Sequence, residues 1–230
     1  MASATRSWWG TAPGIILLLA IVSSVPAWVL IALPVATLSN IAKHPAHFPL
    51  VFLHMLGGTV MLVLGALNLY VGSTRRLFRF HRVIGYSYLV GGTLGAASAL
   101  ALSLANVHGE FIEPFAFELT KVGDLGFALA ALSIAWLVTA AMALRAAINR
   151  RFDSHRDWMI RSYVLVWSFV LCRLIAQIPP LAFLGELGGG AALGWLSWLI
   201  PLAIAEICLQ WNAGAREPAR LPRTPPIAPR

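Results

Sequence analysis

Two short polar motifs contain the residues whose types are best suited to chemistry. His81 is followed by Tyr86 five residues later, and His155 is followed by Tyr163 eight residues later. Histidine is a common axial ligand of haem iron, and a haem with two axial ligands needs them on facing helices at one height. His81 and His155 meet this requirement if each begins one of two neighbouring helices that run in the same direction. We therefore expect these two histidines to be the metal ligands of one b-type haem.

Arginines and tyrosines near this pair would assist a charged cofactor. Arg82, Arg156 and Arg161 would neutralise haem propionates or a quinone anion. Tyr86 and Tyr163 would form hydrogen bonds nearby. The alternative interpretation is that the histidines and arginines anchor the helices among lipid headgroups. The residues alone leave both interpretations open.

Two further groups of charged side chains fall at matching depths in the chain. Arg161 and Glu206 lie within two helical turns of the same membrane surface, so a salt bridge between them is expected. A second depth in the membrane, nearer the opposite surface, contains His54, Asp124 and Arg173. Arg173 and Asp124 are predicted to pair, because an ionisable group in a bilayer needs a partner. Alternatively, Arg173 or His54 contacts a bound ligand such as a quinone headgroup or a haem propionate.

The composition places these residues in a membrane protein. Hydrophobic side chains make up 59% of the 230 residues, and charged side chains make up 11%. A soluble domain has roughly 45–50% apolar and about 25% charged residues, so a chain of this length could not bury the excess in its own core. This composition excludes a soluble enzyme, a secreted disulfide scaffold and a disordered protein. The net charge of +8 comes mainly from short loops between apolar segments, which indicates membrane orientation rather than nucleic-acid binding.

Six apolar segments are long enough to cross a bilayer, which needs about 20 residues. They are residues 14–38, 49–71, 83–106, 122–144, 158–178 and 191–211. One arginine precedes the first segment, and four lie in each of the second–third connection, the fourth–fifth connection and the stretch after the sixth segment. The positive-inside rule therefore places both termini in the cytoplasm, with the chain in a bacterial inner membrane.

The predicted fold is all-α, with six transmembrane helices in residues 1–211 and a disordered cytoplasmic tail, rich in Pro and Arg, at 212–230. The second and third helices form one hairpin, and the fourth and fifth form another that runs parallel to it. Each hairpin turn contains an arginine pair followed by a histidine. The two hairpins are predicted to build a four-helix core bundle with a pseudo-two-fold axis along the membrane normal. The first and sixth helices flank this core.

Glycines follow histidines at helical spacing along two of these helices. His81, Gly92 and Gly95 share one face of the third helix, and His54 begins a similar face on the second. Small residues permit close contact between helices, which is expected at Gly91 and Gly95. They would equally leave room for the flat face of a porphyrin.

Other chemistry lacks its motifs. The chain has no C-x-x-C-H for a c-type haem, no H-E-x-x-H for zinc, no P-loop and no G-x-S-x-G elbow. Cys172 and Cys208 lie in apolar segments and are expected to be small buried side chains. With no complete catalytic constellation, the motifs do not identify an enzyme.

Two runs of residues carry a resemblance to a known family. His-Arg-x-x-Gly-Tyr-x-Tyr begins at His81, and His-Arg-x-Trp-Met-x-Arg-Ser-Tyr begins at His155. Together with His54-x-x-Gly57-Gly58, they resemble the bacterial multi-pass membrane family catalogued as domain of unknown function 2306. The resemblance covers residues 54–173 and implies a helical bundle but no reaction. The positions that it singles out are His54, His81, His155, Arg161 and Arg173.

Three functions follow as hypotheses. The first is electron transfer through a b-type haem, to or from a quinone. The second is a non-catalytic subunit or assembly factor of a larger respiratory or photosynthetic complex, suggested by the glycine-rich faces. The third is a small-solute transporter with His54, Asp124 and Arg173 as its midway site. The lipid bilayer is a partner in all three, and nucleic acid is a partner in none.

Overall fold

The computed structural model describes residues 48–107, 122–176, 178–181, 183 and 191–216, and these ranges contain helices and no strand. Short 3₁₀ turns occupy Phe78–Phe80 and Pro179–Leu181. The all-α prediction is confirmed for this part of the chain. The α-helices are α1 (Phe48–Thr74), α2 (His81–Val107), α3 (Val122–Ile148), α4 (Phe152–Val166), α5 (Ser168–Ala176) and α6 (Ala191–Arg216).

Among the described residues, four helical stretches are long and apolar enough to cross a bilayer. They correspond to the second, third, fourth and sixth predicted segments, which are confirmed as membrane-helix candidates. A continuous helix suits this role because it satisfies its own backbone hydrogen bonds where no water is present. The first predicted segment, 14–38, lies outside the described residues. The four stretches are Phe48–Thr74, Phe78–Leu104, Leu125–Ile148 and Ala191–Trp211.

The fifth predicted segment, 158–178, is divided between two short helices. The backbone N–H of Trp167 donates to the Val164 carbonyl, three residues back, at 3.1 Å and tightens the end of α4. The helical path resumes in α5, where the Leu171 N–H donates to the Trp167 carbonyl at 2.9 Å. With 15 and 9 residues, α4 and α5 are each too short to cross a bilayer alone.

Helices α1 to α4 pack in a ring. α1 contacts α2, α2 contacts α3, α3 contacts α4, and α4 closes the ring against α1. α6 lies outside the ring against α3, α4 and α5. The centre of the ring is filled by one cluster of buried side chains, which includes Leu62, Ala66, Tyr88, Trp136, Ala140, Ala143, Met159, Tyr163 and Val166.

The spacing of residues along α2 correctly predicts its inward face. Tyr88 is fully buried, and Gly92 and Gly95 are buried beneath it. On the opposite face, Val83 and Val90 are more than 60% exposed. In a bilayer these exposed apolar side chains would contact lipid tails. Small or polar residues are therefore needed only on the face of α2 that packs against the neighbouring helices.

Glycines allow the backbones of α1 and α2 to approach closely, as the sequence predicts. A Cβ atom built on Gly57 would lie 2.5 Å from the Gly95 Cα atom and 2.7 Å from the Gly91 carbonyl oxygen. Both neighbours are backbone atoms and cannot rotate away. Any side chain at Gly57 would therefore push the two helices apart.

Helices α1 and α3 end in a similar way, at the turns that connect α1 to α2 and α3 to α4. Arg75 and Arg150 both adopt the left-handed conformation, with φ of 59° and 56°. The Arg151 N–H donates to the Ala146 carbonyl at 2.9 Å, and the Arg150 N–H donates to the Ala147 carbonyl at 3.0 Å. These bonds form a Schellman motif, in which glycine is the usual left-handed residue. Arginine at this position bears a steric cost that glycine would avoid.

One cysteine lies in a different environment from the one predicted. Cys172 is half-buried, but Cys208 is exposed on α6. The reason is that α6 packs with only one face against the ring. Cys208 stands on the other face beside the exposed Ile204 and Ile207, where apolar character suits lipid rather than a protein core.

Substitution of Gly57 by alanine tests the close approach of α1 and α2. We expect the change to lower the free energy of unfolding by about 1–3 kcal/mol, because the new methyl group overlaps backbone atoms of α2. Thermal unfolding in detergent measures the effect. Ala97→Val, which adds methyl groups on the exposed face of α2, is the control and should change little. Equal melting temperatures for the two variants would contradict the close contact.

Candidate functional site

The two histidines singled out by the sequence lie side by side at one end of the ring. The ring centroids of His81 and His155 are 6.3 Å apart, and the ring planes are nearly perpendicular, at 87°. His81 begins α2 and His155 lies in the first turn of α4, so the two helices start at the same level. We call this the histidine end of the bundle, and it contains the α1–α2 and α3–α4 turns.

The backbone of α3 holds the ring of His155 in place. Its Nδ1 atom lies 2.8 Å from the Ala143 carbonyl oxygen. A carbonyl oxygen can only accept, so Nδ1 carries the proton and donates it. In the neutral ring this leaves the lone pair on Nε2, which is the arrangement that metal-binding histidines commonly adopt.

His81 is held by stacking rather than by a hydrogen bond. Its ring lies parallel to the ring of Phe78, with centroids 5.2 Å apart and an angle of 9°. A Cβ atom on Gly72 would lie 3.4 Å from the His81 Cε1 atom, so α1 presents bare backbone to this side chain. The Nδ1 atom of His81 is buried and has no hydrogen-bond partner.

Arginines surround the histidine end without entering it. The guanidinium of Arg75 lies over the Phe78 ring, with its Cζ atom 5.1 Å from the centroid, and Arg79 lies over Phe80 at 4.6 Å. Arg82 and Arg156, the predicted charge partners of a cofactor, are exposed. Cation–π contacts of this kind restrict the arginine side chains while leaving their charge accessible.

Arg161 has a partner on another helix, as predicted. Its Nε donates to Glu206 Oε2 at 2.8 Å, and its Nη2 donates to Oε1 at 3.0 Å, which joins α4 to α6 by a two-pronged salt bridge. Gln210 donates a further bond to the same carboxylate at 3.0 Å. The Arg161 guanidinium also lies over the Trp158 ring at 4.8 Å. With these contacts Arg161 joins two helices and is not directed at the histidines.

The predicted tyrosines occupy different environments. Tyr86 stands on the outer face of α2 and is 61% exposed, so the fold does not bring it to the histidine pair. Tyr163 is buried in the centre of the ring, where its hydroxyl donates to the Leu62 carbonyl at 3.1 Å. Gly65 makes room for it, since a Cβ atom there would lie 2.5 Å from the Tyr163 Cδ2 atom.

A directed chain of hydrogen bonds crosses the middle of the bundle. Trp136 Nε1 donates to the Tyr88 hydroxyl at 3.2 Å, and Tyr88 lies 2.9 Å from the Ser162 hydroxyl. Ser162 donates to the Met159 carbonyl at 3.2 Å. Because Ser162 uses its proton there, Tyr88 must donate to Ser162. The chain therefore satisfies three buried polar groups from α3, α2 and α4.

The second predicted level is described only in part. His54 Nδ1 lies 3.2 Å from the Gly95 carbonyl oxygen, so this histidine contacts the backbone of α2 near the tight glycine contact. The side chains of Asp124 and Arg173 lie outside the described residues. Their ion pair and the midway transport site remain predictions.

One buried polar residue at the histidine end, Asn68, is not among the site residues predicted from the sequence. Asn68 is only 4% exposed inside the ring, and its Oδ1 atom has no hydrogen-bond partner. Its position on the predicted stripe of α1, one turn from Gly72, was the available signal. An amide inside an apolar helix is costly unless it is bonded, which makes it a candidate site residue in its own right.

A metal ion bound only by protein side chains usually needs three or more ligands. Among the described residues, no group of three or more His, Cys, Asp or Glu side chains could hold one ion. A haem requires less from the protein, because the porphyrin supplies four of the six ligands and two axial side chains complete the set. Two histidines are therefore a suitable donor set for haem and an incomplete one for a structural zinc.

Comparison with known proteins finds a family model that matches most of the chain. The family model described as a predicted membrane protein (DUF2306) matches residues 51–209, which include most of α1, all of α2 to α5 and most of α6. No curated protein and no solved structure matches the chain.

Replacing Tyr88 by phenylalanine tests the central chain of hydrogen bonds. We expect a loss of about 1–3 kcal/mol in the free energy of unfolding, because the buried Trp136 N–H loses its acceptor. Thermal unfolding in detergent, followed by tryptophan fluorescence, measures it. Tyr86→Phe removes the same hydroxyl from the exposed face of α2 and should have almost no effect. If both variants melt together, the chain does not stabilise the fold.

The salt bridge between α4 and α6 is tested by a double-mutant cycle. Arg161→Gln and Glu206→Gln should each cost on the order of 2 kcal/mol, because each leaves an unpaired charge in apolar surroundings. The double variant should cost less than the sum of the two, since neither charge remains. Melting temperatures of the three variants give the coupling energy. Strict additivity would show that the two groups do not interact.

Proposed function

The chain belongs to the DUF2306 family of predicted membrane proteins, and we propose that it transfers electrons within the membrane through one b-type haem bound by His81 and His155. The observation that carries the proposal is the pairing of two imidazoles from different helices at one level, 6.3 Å apart between centroids. The family match supplies the membrane setting and leaves the reaction open.

The separation of the rings agrees with the needs of a shared iron atom. Metal–nitrogen bonds to histidine are about 2 Å long, so two rings on opposite sides of one metal have centroids roughly 6 Å apart. Perpendicular ring planes are compatible with that geometry, because each ring can rotate about its own metal–nitrogen bond. The distance between His81 and His155 thus supports the pair as axial ligands.

The surroundings of the pair also suit the proposal. His155 is oriented by the Ala143 carbonyl and keeps its Nε2 lone pair for a metal. Gly72 and Gly85 present no side chain to His81 and Asn68, so each of these polar side chains packs against the bare backbone of the facing helix.

The chain's own groups would bind and orient the cofactor. Haem supplies reversible one-electron chemistry at its iron when bound. Arg82 and Arg156 would neutralise propionates, because both are exposed at the histidine end. Arg156 forms an exposed ion pair with its neighbour Asp157 at 3.2 Å, which a propionate would replace. Arg161 is engaged with Glu206 and would instead fix the position of α4, which carries His155.

We propose a membrane quinone as the electron partner. A lipid-soluble carrier can approach from the bilayer, and the outer faces of α2 and α6 expose apolar side chains to that environment. Phe80 is 42% exposed next to His81, where an aromatic headgroup could stack on its ring. Electron entry near this turn would place the carrier within contact of the ligand pair.

The proposed topology is six crossings of a bacterial inner membrane with both termini in the cytoplasm. The histidine end supports this orientation, because arginines of both hairpin turns lie there. They are Arg75, Arg76, Arg79, Arg82, Arg145, Arg150, Arg151 and Arg156, against the acidic residues Asp153 and Asp157. Cysteine accessibility mapping from the two sides of the membrane would test it.

Optical spectroscopy of the purified full chain tests the haem proposal. Expression with added haem precursor should give a Soret band and the split α and β bands of a six-coordinate b-type haem on reduction, at one haem per chain. His81→Ala and His155→Ala should each abolish the six-coordinate spectrum, because one axial ligand is lost. A short-chain quinol should reduce the wild-type haem.

His54→Ala serves as the matched control, since His54 lies at the other end of α1 and contacts the Gly95 carbonyl. Its spectrum should equal that of the wild type. A folded wild-type protein without a Soret band would refute the proposal. Loss of haem in His54→Ala with retention in His81→Ala would move the site to the opposite end of the bundle.

A further inference from the structure

Two buried polar atoms at the histidine end lack partners, and they lie about one turn apart on neighbouring helices. They are Asn68 Oδ1 on α1 and His81 Nδ1 on α2. Among the described residues only one other buried side-chain atom, Trp198 Nε1 on α6, shares this condition. Two such atoms at one place indicate a missing hydrogen-bonding group between them.

The backbone contacts place the two side chains in one small space. Asn68 faces Gly85, where a Cβ atom would lie 3.3 Å from the amide nitrogen. His81 faces Gly72, where a Cβ atom would lie 3.4 Å from Cε1 and 3.8 Å from Nδ1. Asn68 and Gly72 are one turn apart on α1, and His81 and Gly85 are one turn apart on α2. Asn68 and His81 are therefore diagonal neighbours across the antiparallel pair, roughly one helical turn of 5.4 Å apart along the axis.

Burying both atoms without a hydrogen bond would cost free energy. A buried polar group without a partner loses its hydration and gains nothing in return. Polar cavities in proteins commonly contain an ordered water molecule with two or more polar partners. The two atoms do not bond to each other directly, and a single water between them would supply the partner that both lack.

We propose that Asn68 is a positioning residue for His81 and acts through one buried water. The Nδ1–H of His81 donates to the water, and the water donates to Asn68 Oδ1. The bridge fixes the His81 ring with its proton on Nδ1 and its lone pair on Nε2. This inference deepens the proposed haem site and rests on it for its purpose, although the hydrogen bond itself forms without haem.

The bridge gives the two histidines equivalent arrangements. His155 donates its Nδ1–H to the Ala143 carbonyl on α3, and His81 donates its Nδ1–H toward the Asn68 amide on α1. Each ligand of the pair is then oriented by the helix that precedes it in its own hairpin. Both rings present Nε2 as the free donor, which is what axial coordination of one iron requires.

Determining the tautomer of His81 in the full-length chain without haem tests the proposal. The chain is prepared in lipid nanodiscs without haem supplementation, with ¹⁵N in its histidine rings, and the His81 signals are assigned by their disappearance in His81→Gln. We expect a protonated Nδ1 that receives magnetisation from bound water. His155 serves as an internal reference, and its protonated Nδ1 also reports that the bundle is folded.

Two substitutions of similar size separate positioning from packing. Asn68→Leu removes the acceptor and should shift the population of His81 from the Nδ1–H to the Nε2–H tautomer. Asn68→Asp retains an acceptor oxygen and should keep the Nδ1–H form. Ser103→Ala, a buried change far along α2 whose hydroxyl bonds only to the Ala99 carbonyl, should leave both histidines unaltered.

Specific outcomes would overturn the inference. A wild-type His81 protonated on Nε2, or an Nδ1 proton without contact to water, excludes the bridge, and this measurement needs no variant to fold. An Asn68→Leu protein with an unchanged His81 tautomer and an intact His155 signal excludes the role of Asn68. Absence of haem binding with the expected tautomers would instead refute the proposed function and leave the hydrogen bond established.

Discussion

Hydrogen bonding among buried polar side chains determines how this bundle is assembled, because the hydrocarbon core of a bilayer offers no replacement partners. The hydroxyls of Ser103 and Ser133 donate hydrogen bonds to carbonyls of their own helices. Tyr88 instead accepts a hydrogen bond from Trp136 and donates one to Ser162. Those groups belong to three helices, so the requirement fixes the rotation of α2, α3 and α4 relative to one another. The turn of α4 that carries His155 is positioned by the same contacts.

Close packing of α1 and α2 supplies the second constraint. Gly57 and Gly95 bring the two backbones together near one end, and the antiparallel pair continues to Gly72 and His81 at the other. His81 and His155 belong to different hairpins, so their separation depends on this packing and on the contact between α1 and α4. A small change in the helix contact far from the pair would therefore alter the distance between the two imidazoles.

The histidine end departs from the pattern that the rest of the ring follows. Elsewhere, buried hydroxyls find partners within the protein, whereas Asn68 and His81 each retain an unpartnered atom. The same end has two turn arginines, Arg75 and Arg150, in a conformation that glycine adopts more easily. Departures from local rules concentrate at functional sites, where stability is given up for a specific arrangement. This concentration supports the histidine end as the functional region of the molecule.

The sequence by itself determined the apolar helices, the family and the inward face of α2, because hydrophobic length and the 3.6-residue period are local properties. The Arg161–Glu206 bridge was also foreseeable, since depth follows from counting residues. Tertiary structure alone decided that Tyr86 faces outward, that Tyr163 bonds across the ring to Leu62, and that Asn68 lies beside the histidines. These outcomes depend on how each helix is rotated and which helices touch, and no local pattern specifies the partner that another helix provides.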